Sequence, residues 1–195
     1  MKGNTFHHHY HILYTLRTLL RKEKAVYTEI GTFNGGSLCL MLQHPQYTEC
    51  WSIDPFHLDR TNISITEENV KTFNKYQYPV YLTKQFSTNP GLLEFFKQSN
   101  FQTDILFIDG DHGRDAVRFD FHMYWRFVNP GGYIVFDDYH DALCSPEVRG
   151  AVDSIVEDIQ SQGLPFKIIG YCKNFGNVYP GDLPDLNEFI LRRNI

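Results

Sequence analysis

One segment, Asp104 to Asp109, constrains the fold of this chain more than any other. Four consecutive apolar residues lie between its two carboxylates, and such an uninterrupted run is typical of a parallel strand buried on both faces of a sheet. A second run, Gly132 to Asp138, is also apolar and also ends in acidic residues. Parallel strands need long crossover connections, which are usually helices. The chain is therefore expected to be an α/β protein.

Helix and strand patterns alternate along the rest of the sequence. Apolar residues at helical spacing predict an N-terminal helix from Phe6 to Arg21. The range Ser64–Glu67 fits a capping box and predicts the start of another helix, and Pro146 opens one that runs to about Gln162. Shorter helices are expected at residues 37–43, 92–97 and 114–127. The predicted strands are residues 25–30, 50–54, 80–83, 104–109, 132–138, 166–171 and 177–179.

This alternation predicts a specific architecture. Seven strands with intervening helices form a Rossmann-like, doubly wound, mostly parallel sheet with helices on both faces. We expect a single domain over residues 1–195, with an N-terminal helical segment at 1–24 and the sheet-forming core at 25–195. Ligands of such sheets bind beyond the carboxyl ends of the strands, so the residues that follow each strand are the candidates for function.

Charge and composition disfavour several classes of function. The chain has 18 basic and 23 acidic residues, a net charge of −5 and no block rich in Lys or Arg, which disfavours a nucleic-acid partner. No run approaches the roughly 18–20 apolar residues that span a bilayer, so no membrane span is expected. The N-terminus lacks a secretion signal, and no two cysteines form a CxxC pair. We therefore expect reduced thiols in a cytoplasmic protein, at Cys39, Cys50, Cys144 and Cys172.

A glycine-rich turn follows the first predicted strand. The segment Glu29–Ser37 has glycines at positions 31, 35 and 36, which permit a tight turn and close approach of a ligand to the backbone. Strand two ends at Asp54, 23 residues after Gly31, where a carboxylate can accept hydrogen bonds from both hydroxyls of a ribose. Phe33 stands where a dinucleotide fingerprint has its second glycine. The pattern therefore favours a nucleoside cofactor without a pyrophosphate over NAD or FAD.

Acidic and imidazole side chains follow two strands that are expected to be neighbours. Asp109, Asp111 and His112 follow strand four, and strand five ends in Asp137 and Asp138. Like charges a few ångströms apart disfavour ionisation, and a divalent cation offsets this cost. Oxygen-rich ligation suits Mg²⁺, Mn²⁺ or Ca²⁺ rather than zinc. In the competing interpretation the carboxylates cap the next helix or stay solvated, which suits a single aspartate better than two clusters.

These motifs resemble those of known enzymes. The acidic residue, apolar residue and Gly-x-x-x-Gly of Glu29–Gly35, with Asp54 at the end of strand two, resemble the class I S-adenosylmethionine-dependent methyltransferases. Ile-Asp-Gly-Asp-His at 108–112 and Gly-Gly-x-Ile-x-x-Asp-Asp-Tyr at 131–139 resemble the metal-dependent sugar O-methyltransferases. Those enzymes act on deoxysugars of macrolides and aminocoumarins, and related sequences occur in polysaccharide gene clusters and large viruses. The resemblance covers roughly Val26 to Tyr139.

The resemblance implies roles for individual residues. Asp109, Asp137 and Asp138 match the positions that bind the metal, Mg²⁺ or Mn²⁺. Asp111 or His112 matches the general base, and relatives differ in which of the two positions acts. The adenine of the cofactor is expected near residues 55–56 and 85–87. The residues implied to bind S-adenosylmethionine are Glu29, Gly31, Phe33, Asn34, Gly35, Ser37, Asp54, Ser87 and Asp109.

The resulting hypothesis is a metal-dependent O-methyltransferase that acts on a sugar hydroxyl, such as one of rhamnose in a glycan. The metal acidifies the hydroxyl, and a base takes its proton during in-line displacement. A methyltransferase of catechols or small phenols needs the same chelation and remains an alternative. An NAD-linked oxidoreductase is opposed by Phe33, and a non-catalytic binding module by the intact acidic cluster. The acceptor is expected to be a small molecule or a glycan sugar, and the chain is a candidate homo-oligomer or a candidate domain of a larger glycan-building protein.

Other conspicuous residues are interpreted first as structural. The tract from His7 to His11 opens an amphipathic helix, so it is expected to form a helix face, with Tyr10 or a histidine as the alternative pocket residue. Tyr124 and Trp125 lie deep in a predicted helix and are expected in the core. Arg60 follows strand two in a loop, where it either covers the cofactor or stays solvated.

Overall fold

The computed structural model describes residues 10–57, 62–171 and 188–195. Its helices are α1 (His11–Leu19), α2 (Gly36–Leu42), α3 (Ile63–Phe73), α4 (Pro90–Gln98), α5 (Arg114–Tyr124) and α6 (Val148–Gln162). Its strands are β1 (Ala25–Ile30), β2 (Thr48–Ile53), β3 (Val80–Thr83), β4 (Thr103–Ile108), β5 (Val128–Phe136), β6 (Phe166–Tyr171) and β7 (Phe189–Arg193). A 3₁₀ turn, Trp125–Phe127, precedes β5. Among the described helices, none has the length and apolar character needed to cross a bilayer.

The strands of the described residues form a seven-stranded sheet in the order β3-β2-β1-β4-β5-β7-β6. β1 pairs in parallel with β2 and β4, β2 with β3, and β4 with β5. β7 lies antiparallel between β5 and β6. The chain order reverses between β1 and β4, which is where such sheets bind their ligands. The predicted Rossmann-like, mostly parallel, doubly wound sheet is confirmed.

Apolar side chains form a core on each face of this sheet. Successive strand residues point to opposite faces. In β4, Ile105 and Phe107 belong to the core layer that includes α1 and α2, whereas Leu106 and Ile108 belong to the layer that includes α4, α5 and α6. The uninterrupted apolar run of β4 is therefore explained by burial on both sides. The predicted helices on both faces are confirmed.

Several predicted boundaries differ in the structure, and three of them concern a start or a turn that the sequence pattern had indicated. The N-cap of α3 is Asn62, whose side-chain oxygen accepts a hydrogen bond from the N–H of Ser64, so the capping box predicted at Ser64 is wrong and the serine lies inside the helix. α6 begins at Val148 rather than at Pro146. β5 begins at Val128, and its pairing with β4 skips residues 129–132, so the predicted turn is an irregularity within the strand.

The end of the chain was the least predictable part of the sheet. The strand predicted at 177–179 lies outside the described residues. β7 occupies Phe189–Arg193, where the sequence predicted no strand. Its hydrogen bonds come from β5 and β6, which are distant in sequence, so a local pattern carries little sign of it.

Arg17 fixes α1 to the amino-terminal edge of the sheet. Its side chain is fully buried, and its Nε donates to Thr48 Oγ1 at 2.9 Å. Its terminal nitrogens donate to the carbonyl oxygens of Lys22, Glu23 and Tyr47. A buried guanidinium with this many acceptors holds the helix in one position. The start of α1 is thereby directed toward the opposite, carboxyl edge.

The described cysteines are unpaired thiols. Cys39 and Cys50 are buried, and Cys144 is exposed. Burial raises the pKa of Cys39 to about 12 and raises the pKa of Cys50 well above its usual value, so both thiols are unreactive at neutral pH. Cys172 lies outside the described residues.

Candidate active site

The carboxyl ends of the central strands lie level at one edge of the sheet. The backbone N–H of Asp109 donates to the carbonyl oxygen of Ile30 at 2.8 Å, which aligns the ends of β1 and β4. The N–H of Asp137 donates to the carbonyl oxygen of Ile108 at 3.1 Å, which aligns β4 and β5. The residues that follow these strands therefore share one edge, as the sequence predicted.

Two positions of the turn after β1 require glycine. Gly31 has a φ of +87°, and a Cβ added there would lie 1.8 Å from the carbonyl oxygen of Asp109. Gly35, the N-cap of α2, has a φ of +84°, and its added Cβ would lie 3.1 Å from Cγ2 of Thr66. Glycine adopts this left-handed backbone at no steric cost. The close approach of Gly31 to Asp109 joins the turn directly to the end of β4.

Asp54 holds the turn in its conformation. Its Oδ2 accepts hydrogen bonds from the backbone N–H groups of Thr32 and Phe33, each at 2.8 Å. Its Oδ1 accepts the N–H of Phe56 at 2.6 Å. The side chain is 7% exposed, and a carboxylate offers about four acceptor positions. Three of these acceptor positions are therefore occupied by backbone N–H groups. About one acceptor position is left for the predicted hydrogen bond to a ribose.

Glu29 is the buried carboxyl group beneath this turn. Its Oε2 accepts hydrogen bonds from the hydroxyls of Tyr27 at 2.7 Å and Ser37 at 2.6 Å. Its Oε1 is buried and has no close hydrogen-bond partner among the described residues, although the hydroxyl of Thr32 also interacts with this carboxyl group. Burial raises the pKa of Glu29 to about 7. A buried acceptor oxygen of this kind fits the amino group of an amino-acid-bearing cofactor such as S-adenosylmethionine.

Helix α3 supports the remaining turn residues. The hydroxyl of Thr66 donates to the carbonyl oxygen of Phe33 at 3.1 Å, and the side-chain amide of Asn69 donates to that of Asn34 at 2.9 Å. The side chain of Phe33 is 37% exposed, with a φ of +52°. The predicted cofactor residues of this turn are therefore held at one place by α3 and Asp54.

Three side chains meet at the ends of β4 and β5. His112 Nε2 lies 3.4 Å from Asp109 Oδ1, and His112 Nδ1 lies 3.4 Å from Asp138 Oδ2. One donor atom from each of the three lies within 4.8 Å of those of the other two. Asp138 has a φ of +58°, an uncommon backbone for an aspartate. The two carboxylates are ligands that suit Mg²⁺ or Mn²⁺, whereas the imidazole is a ligand more typical of transition metals such as zinc.

The electrostatics of this cluster show an excess of negative charge. Burial raises the pKa of Asp109 well above its usual value, and the charge of Asp137 raises it further. Burial and the same charge also raise the pKa of Asp138. A hydrogen bond to Asp109 raises the pKa of His112 to about 9. The carboxylates repel one another, and a bound cation is the direct way to offset that repulsion.

Asp137, the third predicted metal ligand, lies beside the cluster. It is 5% exposed, and its charge acts on both Asp109 and Asp138. Its carboxylate is not among the mutually close donor atoms found for the described residues. The structure thus brings two of the three predicted ligands together beside His112, while a ligand role for Asp137 stays a prediction.

The two residues proposed as general base are in different environments. Asp111 is exposed, and its Oδ1 accepts the N–H of Gly113 at 2.8 Å, which forms an Asx turn immediately before α5, whose N-cap is Gly113. His112 is one-third exposed and lies between Asp109 and Asp138. The geometry therefore favours His112 over Asp111 as the candidate general base, because its ring lies between the two carboxylates and also reaches solvent.

The sequence did not indicate Ser145 as a residue of the site, and it indicated Tyr10 only as an alternative. Ser145, in the loop after β5, is 2% exposed and places its hydroxyl 2.6 Å from His112 Nδ1 and 2.7 Å from Asp138 Oδ2. Tyr10 is buried at the start of α1, and its hydroxyl donates to Asp109 Oδ2 at 3.2 Å. No motif marks Ser145. Tyr10 was expected on a helix face, with the pocket as the alternative.

Ser87 lies in a polar contact beyond β3. Its side chain hydrogen-bonds to Asp120, and its carbonyl oxygen accepts the hydroxyl of Tyr124 at 2.7 Å. Asp120 is 3% exposed, and burial raises its pKa to about 7. Its Oδ1 has no hydrogen-bond partner among the described residues. Ser87 is therefore linked to a buried carboxyl group that the sequence analysis did not single out.

Of the other residues that the sequence singled out, some are buried in the core and others lie outside the described residues. Tyr124 and Trp125 are buried in the core, as predicted. The ring of His140 packs against Tyr139 and Tyr171. Arg60 lies outside the described residues, as do the first nine residues of the chain.

Comparisons of the sequence with known proteins find a family and a relative. Residues 28–139, more than half of the chain, match the model of a family described as a methyltransferase domain. An uncharacterised protein of Acanthamoeba polyphaga mimivirus, R132, is 41% identical over 201 residues, which cover 98% of this chain and 90% of that protein.

Solved structures show the same fold at low sequence identity. An O-methyltransferase from Bacillus cereus, in complex with S-adenosylhomocysteine, superposes with a TM-score of 0.65 at 16% identity, over 93% of this chain and 80% of that one. The methyltransferase MycE from the mycinamycin biosynthetic pathway, in complex with Mg and S-adenosylhomocysteine, superposes with a TM-score of 0.60 at 20% identity. That alignment covers 92% of this chain and 48% of MycE.

Proposed function

Since the chain belongs to the methyltransferase-domain family and has the class I methyltransferase fold, we propose that it transfers the methyl group of S-adenosylmethionine to a sugar hydroxyl with the help of a divalent cation. Mg²⁺ or Mn²⁺ is held by Asp109 and Asp138, with Asp137 beside them. The acceptor is a small molecule or a glycan sugar with vicinal hydroxyl groups.

One observation carries this proposal. The glycine-rich turn and the cation cluster abut, because Gly31 packs on the carbonyl oxygen of Asp109 and the side chain of Asp109 contacts His112. A cofactor held by the turn and an acceptor held at the cluster are thereby brought to the same point. Methyl transfer needs such proximity, since orientation of two reactants supplies roughly 7–11 kcal/mol in well-aligned systems.

The cofactor half of the site acts by holding and orienting. Glu29 offers the buried Oε1 to the amino group of the methyl donor. The backbone of the turn, fixed by Asp54, lets the ligand approach closely where side chains would block it. The backbone N–H groups of Phe33 and Phe56 donate to Asp54, and the 37%-exposed side chain of Phe33 would offer apolar surface to the nucleoside.

The acceptor half acts on the proton. When bound, the donor supplies an electrophilic methyl group and the cation makes a ligated hydroxyl more acidic. A bound cation disfavours the protonated form of the neighbouring imidazole, so His112 Nε2 would then accept the proton of the acceptor hydroxyl while the methyl group passes from the donor's sulfur to that oxygen. A positioned base contributes about 10²–10⁴-fold to the rate, so His112→Ala is expected to lower kcat by that factor. The neighbouring exposed residue Asp111 offers a matched control, and Asp111→Asn is expected to keep most of the activity.

The experiment is a methyl-transfer assay with labelled S-adenosylmethionine. Sugars with vicinal hydroxyls, the same sugars lacking one of those hydroxyls, and catechols are offered in parallel, each with Mg²⁺ and with EDTA. Transfer to the vicinal sugars that EDTA abolishes is the expected result. Transfer to catechols alone contradicts the sugar assignment, and transfer that is unaffected by EDTA contradicts the cation.

A further inference from the structure

Asp120 is a buried carboxyl group that the proposed chemistry does not use. It lies on α5 and is 3% exposed. A Cβ added to Gly110 would lie 3.7 Å from Asp120 Oδ2 and 3.2 Å from Cγ2 of Ile30. Asp120 therefore lies close beneath the edge of the sheet where β1 and β4 end. Burial raises the pKa of Asp120 to about 7, so the group is ionised above that pH.

Ser87 is the hydrogen-bond partner of this carboxyl group. Within the described residues this is the one hydrogen bond that the carboxyl group receives, and Asp120 Oδ1 has no partner there. Ser87 is half-buried and Asp120 is buried, so the serine is the outer member of the pair. The N–H of Asp54 donates to the carbonyl oxygen of Thr83 at 3.2 Å, which sets the ends of β2 and β3 level. The pair therefore flanks the edge that carries the glycine-rich turn.

The backbone of Ser87 is fixed from two sides. The hydroxyl of Tyr124, a buried residue of α5, donates to the carbonyl oxygen of Ser87 at 2.7 Å. The N–H of Asn89 donates to the carbonyl oxygen of Phe86 at 3.0 Å, and Asn89 is the N-cap of α4. The fold thus sets the position of the serine oxygen, and the direction of its O–H bond is what remains to be set.

Counting hydrogens shows that Asp120 sets this direction. A serine hydroxyl has one proton and two acceptor lone pairs, and an ionised carboxylate only accepts. The hydroxyl proton of Tyr124 is already donated to the backbone of Ser87. Ser87 therefore donates its proton inward to Asp120, and its oxygen presents only lone pairs on the outer side. A ligand group that contacts this oxygen must be a hydrogen-bond donor.

We infer that Asp120 is a positioning residue that makes the hydroxyl of Ser87 a fixed acceptor for the exocyclic amino group of the cofactor's purine. The inference rests on the proposed function, because S-adenosylmethionine supplies that purine. An amino group donates hydrogen bonds, whereas the oxo group of a deaminated purine only accepts them. A site built to hydrogen-bond one group rejects an analogue that leaves its polar groups unpaired. The pair therefore selects an aminopurine over an oxopurine.

The test compares the affinities of S-adenosylhomocysteine and its deaminated analogue S-inosylhomocysteine by calorimetry. Measurements are made at about pH 8, where Asp120 is ionised. The wild-type protein is expected to bind S-adenosylhomocysteine about 10- to 100-fold more tightly than the analogue. Equal affinities for the two ligands would overturn the inference.

Two substitutions of Asp120 remove the inward acceptor. Asp120→Ala has no polar group there, and Asp120→Asn has an amide that can donate to the serine oxygen. In both variants the proton of Ser87 is free to point toward the ligand, so the ratio of the two affinities is expected to fall toward one. Ser87→Ala is expected to lower the ratio in the same way. A structural role would weaken both ligands by the same factor, and a wild-type ratio in both Asp120 variants overturns the inference.

Asp158→Asn is the matched control. Asp158 also holds α5, because its Oδ2 accepts from Arg118 at 3.0 Å and lies 3.1 Å from His122 Nε2. It lies on α6 and makes no hydrogen bond to Ser87 among the described residues. This variant is expected to unfold at a lower temperature and to keep the wild-type ratio of affinities. A ratio that falls here as it does in Asp120→Asn would assign the effect to the placement of α5 and overturn the inference.

The outcomes separate this inference from the proposed function. A protein that discriminates between the two ligands but transfers no methyl group to any acceptor supports the inference and contradicts the proposed function. Methyl transfer by a protein that binds both ligands equally contradicts the inference alone. A wild-type protein that binds neither ligand contradicts both.

Discussion

The two halves of the candidate active site differ in how their polar groups are satisfied. In the turn half, Asp54 accepts three backbone N–H groups, and Glu29 accepts the hydroxyls of Tyr27 and Ser37. In the cluster half, the carboxylates of Asp109 and Asp138 face each other and the charge of Asp137. The first half is held by bonds within the chain, whereas the second contains repulsion between carboxylates that His112 offsets only in part.

This difference indicates that the two halves bind their ligands in different ways. A preorganised turn binds its ligand at little cost in conformational entropy. A repulsive cluster is stabilised by any ligand that brings positive charge, so its structure and its chemistry depend on the same ion. Changes in the turn half should therefore act through the fold, and changes in the cluster half should act through the cation.

The largest effect is expected from Gly31→Ala. The new Cβ would lie 1.8 Å from the carbonyl oxygen of Asp109, and alanine is strained at a φ of +87°. We expect the free energy of unfolding to fall by more than about 3 kcal/mol, measured by denaturant titration.

Gly150→Ala is the matched control for that variant. Gly150 lies in α6, and a Cβ there meets no atom within 4 Å. This substitution is expected to raise stability by about 0.4–1 kcal/mol, because alanine restricts the unfolded chain. Equal stability of the two variants would contradict the close packing of the turn on β4.

An effect of intermediate size is expected when pH changes the ionisation of Glu29 and, with it, the affinity for S-adenosylhomocysteine. Burial raises its pKa to about 7, and the amino group of the cofactor binds the ionised form. Below pH 7 the protein must release a proton to bind, so the affinity for S-adenosylhomocysteine is expected to fall by up to about tenfold per pH unit. Above pH 7 the group is already ionised and this dependence disappears.

Calorimetry at several pH values, in buffers of different ionisation enthalpy, measures both the affinity and the proton released. Glu29→Gln serves as the control, because its side chain cannot titrate, and its weaker affinity is expected to be independent of pH over this range. A wild-type affinity that stays constant from pH 8 to pH 5.5 would show that Glu29 does not bind the amino group.

The smallest effect is expected from Tyr10→Phe. The phenyl ring keeps its edge-to-face contact with Phe107, but the hydrogen bond to Asp109 Oδ2 is lost. One such bond contributes about 0.5–1.5 kcal/mol to stability, so the free energy of unfolding is expected to fall by about that amount, and cation affinity is expected to change by roughly tenfold or less. A loss of S-adenosylhomocysteine affinity instead would assign Tyr10 to the turn half.

The parts of the structure that the sequence predicts are those with local causes. β4 and β5 are visible as apolar runs because both their faces are buried, and the acidic residues after them could be placed together by the rule for strand ends. Gly31 and Gly35 are visible because the turn needs a left-handed backbone. These few segments are enough to predict the fold class and the proximity of the acidic residues that follow β4 and β5.

The parts that the sequence does not show depend on contacts between distant residues. β7 is a strand because its backbone pairs with β5 on one side and with β6 on the other. Ser145 reaches His112 through a loop whose shape is set by Asp141, and no spacing rule predicts it. Asp111 and His112 are adjacent in sequence, and only the start of α5 shows which one is turned toward the cluster.

The central claim, that the cluster half is completed by a divalent cation, is tested most directly by titrating Mn²⁺ or Mg²⁺ into the metal-free protein by calorimetry and thermal unfolding. We predict one ion per chain, with a gain of about 2.7 kcal/mol in stability at 100 times Kd. The double variant Asp109→Asn/Asp138→Asn is expected to lose both signals, and the charge-matched surface variant Glu67→Gln/Glu94→Gln to keep them. Wild-type protein that binds no ion, or a cluster variant that binds as the wild type does, would contradict the account.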